Sequence, residues 1–315
     1  MHKPILTAIF LVALSPIVKA ESPEGGKQES ATGITHSILA LGDGPRIIAE
    51  DSSITHVYPT DVRDGWKLPN GDFLLAVTKG PKDFPHGGAV EITPAGKVIW
   101  QYKGTQDEVN TVEAVNDGHY IVTEAGDKPR LLELDREGKI LVDMPIQAQI
   151  KDHHLQTRMS RKLPNGDYLV PQLLDKVVRE YTPAGKIVWE AKSPEGVKED
   201  WPFTAIRLPN GNTLSTLTHS RIVVEFDKDG KVVWKLTNAD LGSELLVDPC
   251  GAQRLPNGNT VITSYGQGKP GEVKLLEVTP EKKVVWTYRD NKPHGIHEFQ
   301  VLTTNGKPVE GTPMK

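Results

Sequence analysis

The chain has 315 residues, a net charge of −4, 37% hydrophobic residues, one cysteine, 29 glycines and 24 prolines. A lone cysteine forms no internal disulfide and builds no cysteine-rich zinc or iron–sulfur site, and the mild, mixed charge argues against a nucleic-acid binder or a polybasic membrane surface. At about 150 residues per domain the length allows two domains, although all-β folds commonly pass about 200 residues as one, and it suffices for a core without disulfide support.

Residues 1–20, MHKPILTAIFLVALSPIVKA, begin with His2 and Lys3, continue through an apolar run from Ile5 to Leu14 and close on Val18-Lys19-Ala20. That order reads as a signal peptide cleaved before Glu21. The run is shorter than the roughly 20 residues of a spanning helix, so no integral membrane segment is expected after cleavage. Loss of Lys3 and Lys19 takes the net charge to −6. Residues 21–33, rich in Gly, Ser and Glu, are expected to be a disordered leader, and residues 34–315 a single domain of a periplasmic or secreted protein.

From residue 34 onward the chain repeats. Leu-Pro-Asn-Gly occurs at 68–71, 163–166, 208–211 and 255–258, with degenerate copies ending at Gly118 and Gly306, so the glycines step by 47, 48, 45, 47 and 48 residues. In the same period run TPAGKVIW (93–100), DREGKILV (135–142), TPAGKIVW (182–189), DKDGKVVW (227–234) and TPEKKVVW (279–286). Each unit resolves into four short strands, as in the third: Leu155–Leu163, Asp167–Gln172, Val177–Tyr181 and Lys186–Ala191. Asn-Gly between apolar runs signals a hairpin because both residues tolerate positive φ. Four antiparallel strands in about 45 residues match a propeller blade. Five units are whole. The sixth is completed by joining C-terminal His297–Asn305 to the N-terminal strands Ile34–Leu41, Arg46–Asp51 and Ile54–Tyr58. The fold is therefore an all-β six-bladed β-propeller of four-stranded antiparallel blades, the ring closed by one C-terminal and three N-terminal strands. Seven blades is the alternative, if the N-terminal region hides a degenerate unit.

The repeat separates scaffold from site. Trp100, Trp189, Trp234 and Trp286 share one phase, with His56 and Val142 in the other two units, and are expected to pack outer strands against neighbouring blades. Glu91, Glu133, Glu180, Glu225 and Glu277 recur on the third strand and read as repeat structure too. Residues that break the repeat are the site candidates. One face carries the connections leading into the innermost strands (60–64, 107–111, 153–158, 201–204, 248–251, 294–297) and those joining second to third strands (79–87, 124–128, 172–175, 218–221, 265–271). These hold six of the nine histidines beyond residue 20: His86, His153, His154, His219, His294 and His297. Adjacent His153 and His154 point to opposite sides, so at most one joins a shared site. Glu124 and Tyr265 lie in the same loops. On the inner strands, the position five before each glycine reads Trp66, Glu113, Arg161, Ile206, Gln253 and Val301. Glu113, Arg161 and Gln253 either face the channel as ligand contacts or satisfy one another as buried polar partners.

The Leu-Pro-Asn-Gly-Asn-Thr-Leu and Thr-Pro-x-Gly-Lys-Val-Val-Trp phrases resemble the bacterial pyrroloquinoline-quinone-like β-propeller repeats over nearly the whole chain beyond the leader. That resemblance implies the fold. Genuine quinoproteins typically carry eight blades and often a vicinal cysteine pair, so the quinone is not expected here and no other cofactor is called for; two or three histidines converging from different blades would suffice for a metal site, and the sequence leaves metal content open. His297-Glu298-Phe299-Gln300-Val301-Leu302 before Asn305-Gly306 is similar to the inner-strand motif of bacterial aryl-sulfate sulfotransferases, and His154 before Leu163–Gly166 is a looser match. That similarity implies His154, His219 and His297 with Arg161 as candidate catalytic residues, since sulfuryl transfer needs a nucleophile and preorganised positive charge. The chain is shorter than those enzymes and lacks the cysteine pair many of them carry. The leading expectation is a binding propeller for a glycan, a small polar or anionic ligand, or an envelope protein, with Trp66, His86, Glu113, Glu124, Arg161, Gln253 and Tyr265 as ligand-binding candidates. The alternative is a sulfotransferase-like or other hydrolase or lyase enzyme.

Overall fold

A computed structural model describes residues 26–115, 118–194 and 199–315. The expected signal peptide and residues 21–25 lie outside the described residues. The described strands form six antiparallel sheets, which is the expected six-bladed propeller and leaves no seventh blade. Blades one to five run in sequence order, each from an inner strand outward: Val62–Lys67, Glu108–Ala114, Arg161–Lys162, Asp200–Arg207 and Ala252–Arg254 are the inner strands. The sixth blade takes its inner strand, Glu298–Thr304, from the C-terminal side and its other three, His36–Leu41, Arg46–Ile48 and Ile54–His56, from the N-terminal side. The ring is thus sealed by hydrogen bonds between chain segments more than 250 residues apart, and closure removes the free edges an open stack would expose.

Three details differ from the expectation. Lys27–Glu29, placed in the disordered leader, form a strand on the outer edge of blade five against Val284–Arg289. Gln28 anchors it, donating to the carbonyls of His36 and Ala49 at 2.8 and 3.0 Å and accepting from Trp286 Nε1 at 2.9 Å. The inner strand of blade three shrinks from the expected Leu155–Leu163 to Arg161–Lys162, because His153–Leu155 form a 3-10 turn capped by Asp152. The Leu-Pro-Asn-Gly turns place only the glycine in the left-handed region: Gly71 has φ +93° and donates to the Leu68 carbonyl at 2.9 Å. Asn70 instead uses its side-chain oxygen to accept the Asp72 amide at 3.0 Å, a local Asx bond. Among the described Asn-Gly turns only Asn305-Gly306 has both residues at positive φ, +49° and +75°, as a two-residue hairpin joining Thr304 to Lys307.

The recurring tryptophans and glutamates bind blade to blade. Trp100 stacks on Tyr120 of the next blade with ring centroids 4.0 Å apart, and Trp189 and Trp234 donate to the Lys228 and Pro280 carbonyls of theirs at 2.9 and 3.0 Å. Each third-strand glutamate is buried or nearly so and takes a donor from the following blade. Glu91 accepts from Tyr120, Glu133 from Tyr168 at 2.7 Å and Lys162 at 2.8 Å, Glu180 from Arg207 at 2.8 Å, Glu225 from Arg254 at 3.4 Å and Glu277 from His36 at 2.8 Å. A buried carboxylate that loses its donor is left uncompensated, at a cost of about 3–5 kcal/mol.

Burial pushes the carboxyls of Glu133 and Glu277 up, and their hydrogen-bond donors override it, holding both below the usual glutamate value. Their stabilisation is therefore complete above the unfolded-state pKa of about 4.3 and is lost as pH falls through the depressed folded value. Chemical denaturation of Glu133→Ala should show a loss of about 3 kcal/mol at pH 7, shrinking toward acid pH; a loss under about 0.5 kcal/mol at pH 7 would refute the latch.

Candidate functional site

The expected loop face holds a cavity of about 290 Å³. The inner strands' leading ends and the connections into them supply Asp61, Arg63, His154, Leu155, Arg158, Trp201, Phe203, Asp248, Cys250 and His297, and the ends of second strands with the connections that follow supply Thr78, Leu173, Thr218, His219 and Tyr265. Gly42 and Asp43 of the closing blade complete the rim. The volume sits at the small end of ligand sites, which span about 300–1,000 Å³. A larger hollow of about 590 Å³ lies beside blade two, but its arginine, Arg130, is already paired with Glu124 at 2.9 Å and Asp143 at 2.7 Å.

The cavity has an apolar wall and a charged wall. Leu173, Phe203 and Cys250 belong to one small buried cluster, against which Leu155 and Trp201 pack. Trp201 meets the His219 ring at a tilt of 38° with centroids 4.6 Å apart, while Phe203 and Tyr265 meet the His297 ring edge-to-face at 4.7 and 5.1 Å. Two wall residues, His219 (φ +62°) and Asp248 (φ +48°), occupy the left-handed region and are held there by a bond from the His219 amide to Asp248 Oδ1 at 3.1 Å. Such backbone outliers concentrate at functional sites.

On the charged wall, Glu108 gathers Arg63 at 3.2 Å, His154 at 3.1 Å and Lys79 at 3.1 Å. Burial drives the Glu108 carboxyl up, and the His154 hydrogen bond with the Arg63 charge override it, holding the group far below its ordinary value. Arg158 has no such partner. It is 1% exposed, the one hydrogen bond of its guanidinium among the described residues runs from Nη1 to the Thr157 carbonyl at 2.8 Å, and Nε is unpaired. Its guanidinium lies 5.6 Å from the centre of the Phe203 ring. Burial, together with repulsion from Arg63, lowers its pKa to about 9. His297 is the second unpaired group: Nδ1 is buried without a partner, and burial followed by the charges of Arg63 and Arg158 lowers its pKa well below the ordinary histidine value. It is a neutral imidazole near pH 7.

Of the residues singled out from sequence, His154, His219, His297 and Tyr265 meet in this cavity. His153 turns away to Asp107 and Asp127, at 3.5 and 3.2 Å. His86 is exposed outside the cavity. Glu113 and Gln253 accept the backbone amides of Lys162 at 2.8 Å and Val301 at 2.7 Å, stitching inner strands together. Glu124 binds Tyr102 at 2.8 Å and Arg130 at 2.9 Å. Trp66 and Arg161 lie in the channel beneath, Trp66 donating to the Val112 carbonyl at 2.7 Å and Arg161 gripping Asp64 at 2.7 Å. Arg63 and Arg158 are not among the residues expected from sequence, although both fall inside the loops 60–64 and 153–158. Scoring those loops for arginine as well as histidine would have found them. Among the described residues no three His, Cys, Asp or Glu side chains are gathered as a metal would need.

Comparison with known proteins adds the fold. No family model matches the chain, and no curated protein does. Among solved structures, a protein of unknown function from Bacteroides caccae superposes with a TM-score of 0.72 at 23% identity, covering 88% of this chain and 100% of its own. A catalytically inactive histidine-to-alanine variant of virginiamycin B lyase from Staphylococcus aureus, solved with quinupristin, matches with a TM-score of 0.56 at 10% identity over 84% of this chain and 99% of its own. A chain from a nidogen/laminin complex matches at 0.60 and 9% identity over 84% of this chain and 97% of its own. The shared property is the propeller.

Because His297 stays neutral when folded and takes a proton near pH 6.5 when unfolded, the unfolded state binds more protons below that pH, and stability rises with pH there. Glu113 acts in the opposite sense. Burial raises its pKa to about 7, so between about 4.5 and 7 the folded state holds the extra proton. Subtracting the His297→Gln profile from that of the native chain cancels the Glu113 contribution. The difference should climb with pH by up to about 1.4 kcal/mol per unit below pH 6.5; a flat difference would mean that His297 titrates normally.

Proposed function

We propose that this protein is an exported propeller that holds a small anionic ligand in the loop-face cavity, with Arg158 as its anchor. The observation that carries the proposal is the Arg158 guanidinium, removed from water with no carboxylate in ion-pair contact among the described residues. A buried charge is costly unless paired, and a guanidinium offers a planar fork that matches a carboxylate, sulfate or phosphate. Arg63 stands beside it, and neutral His297, whose Nδ1 is buried without a partner, lines the same cavity. Trp201, Phe203 and Tyr265 give an adjoining surface for an apolar body. Of the ligand types the sequence suggested, a small anion suits this chemistry better than a glycan, whose neutral hydroxyls would leave the charge unmatched.

A second reading, an enzyme working through His297, is favoured by one observation: an unprotonated histidine with a free ring nitrogen inside a cavity is in the form required of a base or nucleophile. For a sulfotransferase-like reaction the charge-stabilising arginines would be Arg63 and Arg158 rather than Arg161, which is engaged with Asp64. The virginiamycin B lyase variant, inactive once a histidine is replaced, shows that a propeller of this general form supports histidine-dependent chemistry in that protein.

Thermal shift with acetate, sulfate and phosphate tests the binding reading, since a ligand at about 100 times its Kd adds about 2.7 kcal/mol to the native state. At least one anion should raise Tm of the native chain and leave Arg158→Met unmoved. Equal shifts in both proteins would remove Arg158 from the site. Turnover of an aryl sulfate ester that falls about 10²-fold or more in His297→Ala, with Tm retained, would favour the second reading.

A further inference from the structure

Beneath the cavity, the inner strands carry a second layer of charge. Asp64 follows Arg63, Glu298 follows His297, and Arg161 lies three residues past Arg158. Asp64 and Glu298 have no exposed surface. Arg161 grips Asp64 with both ends of its fork, at 2.7 and 3.2 Å.

Residues 307–315 run into this layer from the face opposite the cavity. The Asn305-Gly306 turn folds Lys307 and Pro308 back beside the inner strand of blade six, and the Val309 amide bonds to the Leu302 carbonyl at 3.0 Å. Met314 then accepts the Arg254 amide at 3.0 Å and packs on the core shared by blades four and five. Lys315 ends fully enclosed. Its Nζ lies 3.2 Å from Asp64 Oδ1, 3.7 Å from Glu298 Oε1 and 4.2 Å from the centre of the Trp66 ring, while its carbonyl accepts Arg161 Nε at 2.8 Å.

We propose that the central channel contains a recognition site for a primary alkylammonium group, and that the chain fills this site with its own Lys315. The arrangement has the parts such recognition needs: an aromatic face for cation–π attraction, two buried carboxylates converging on the nitrogen, and an arginine that fixes the backbone of the bound residue. Two carboxylates so close in a dry channel repel, and burial raises the Glu298 carboxyl while Lys315 lowers it, so the ammonium offsets both effects. Arg161 alone leaves Glu298 without a cation in ion-pair contact among the described residues. The ligand class is therefore a lysine side chain or a free alkylamine, distinct from the anion proposed above and independent of it. While Lys315 is seated, the cavity has a closed floor. Withdrawing residues 309–315 would open the ring from the far face and expose a cation site of the same shape.

Lys315→Ala removes the four atoms of n-propylammonium beyond Cβ, which allows chemical rescue. The variant should lose roughly 5–15 °C in Tm, and millimolar n-propylamine should restore at least half of that loss, while n-propanol should not. An unchanged Tm, or equal effects of amine and alcohol, would overturn the proposal. A readout on the native chain keeps the test decisive if the variant does not fold. Under brief amine acylation read by mass spectrometry, Lys315 should label at least about 10-fold more slowly than exposed Lys192 or Lys228, and labelling at the same rate would also overturn it.

Discussion

A charge taken out of water must meet a partner, and the architecture of this ring follows from that requirement. Five blades bury a glutamate on the third strand, and each of these carboxylates takes a donor from the next blade. The inner strands are joined by the same logic on the backbone: Glu113, Gln253 and Gln300 each accept an amide from the following blade. Apolar packing supplies the driving force, as in any propeller. The directional bonds fix how each blade meets its neighbour, and hence where the loops of the functional face converge.

Against this pattern Arg158 stands out, because it is as deeply buried as the latches and lacks an ionic partner. The shortened inner strand of blade three explains how it comes to be there. With His153–Leu155 wound into a 3-10 turn, the segment 156–160 runs on as buried, irregular backbone whose Met159 bridges to Thr204 of the next blade, and Arg158 lies beside Phe203. His297, at the closing blade, lines the same cavity and meets the same Phe203 ring, edge-to-face at 4.7 Å. Below them the channel is filled by Asp64, Arg161, Glu298 and Lys315, where the charges are paired. One axis thus carries two layers: an upper one with unmatched positive charge open to the loops, and a lower one neutralised within the protein.

The repeat made most of the fold legible, since Leu-Pro-Asn-Gly and the tryptophan phrases recur wherever the same turn and the same blade contact recur. The phase argument also identified Glu91, Glu133, Glu180, Glu225 and Glu277 as scaffold without any structure. Features that occur once were the ones missed. Lys27–Glu29 are polar and sit in a Gly/Ser-rich stretch, yet Gln28 reaches backbone groups of the closing blade that no local pattern reveals. Lys315 pairs with Asp64 across 251 positions of sequence, a contact set by ring closure alone. In the site, histidines drew attention because they are rare, and four predicted residues did converge. Arg158 and Arg63 were hidden among 37 basic residues, most of which are ordinary surface charges.

The most direct measurement is diffraction from crystals soaked in selenate, whose anomalous scattering locates the bound oxyanion without reference to any assumed ligand. The expected result is a peak within hydrogen-bonding distance of the Arg158 guanidinium, in the cavity lined by Arg63 and His297, with Lys315 still seated on Asp64 below it. Peaks confined to surface lysines, with the cavity empty, would contradict an anion site at Arg158.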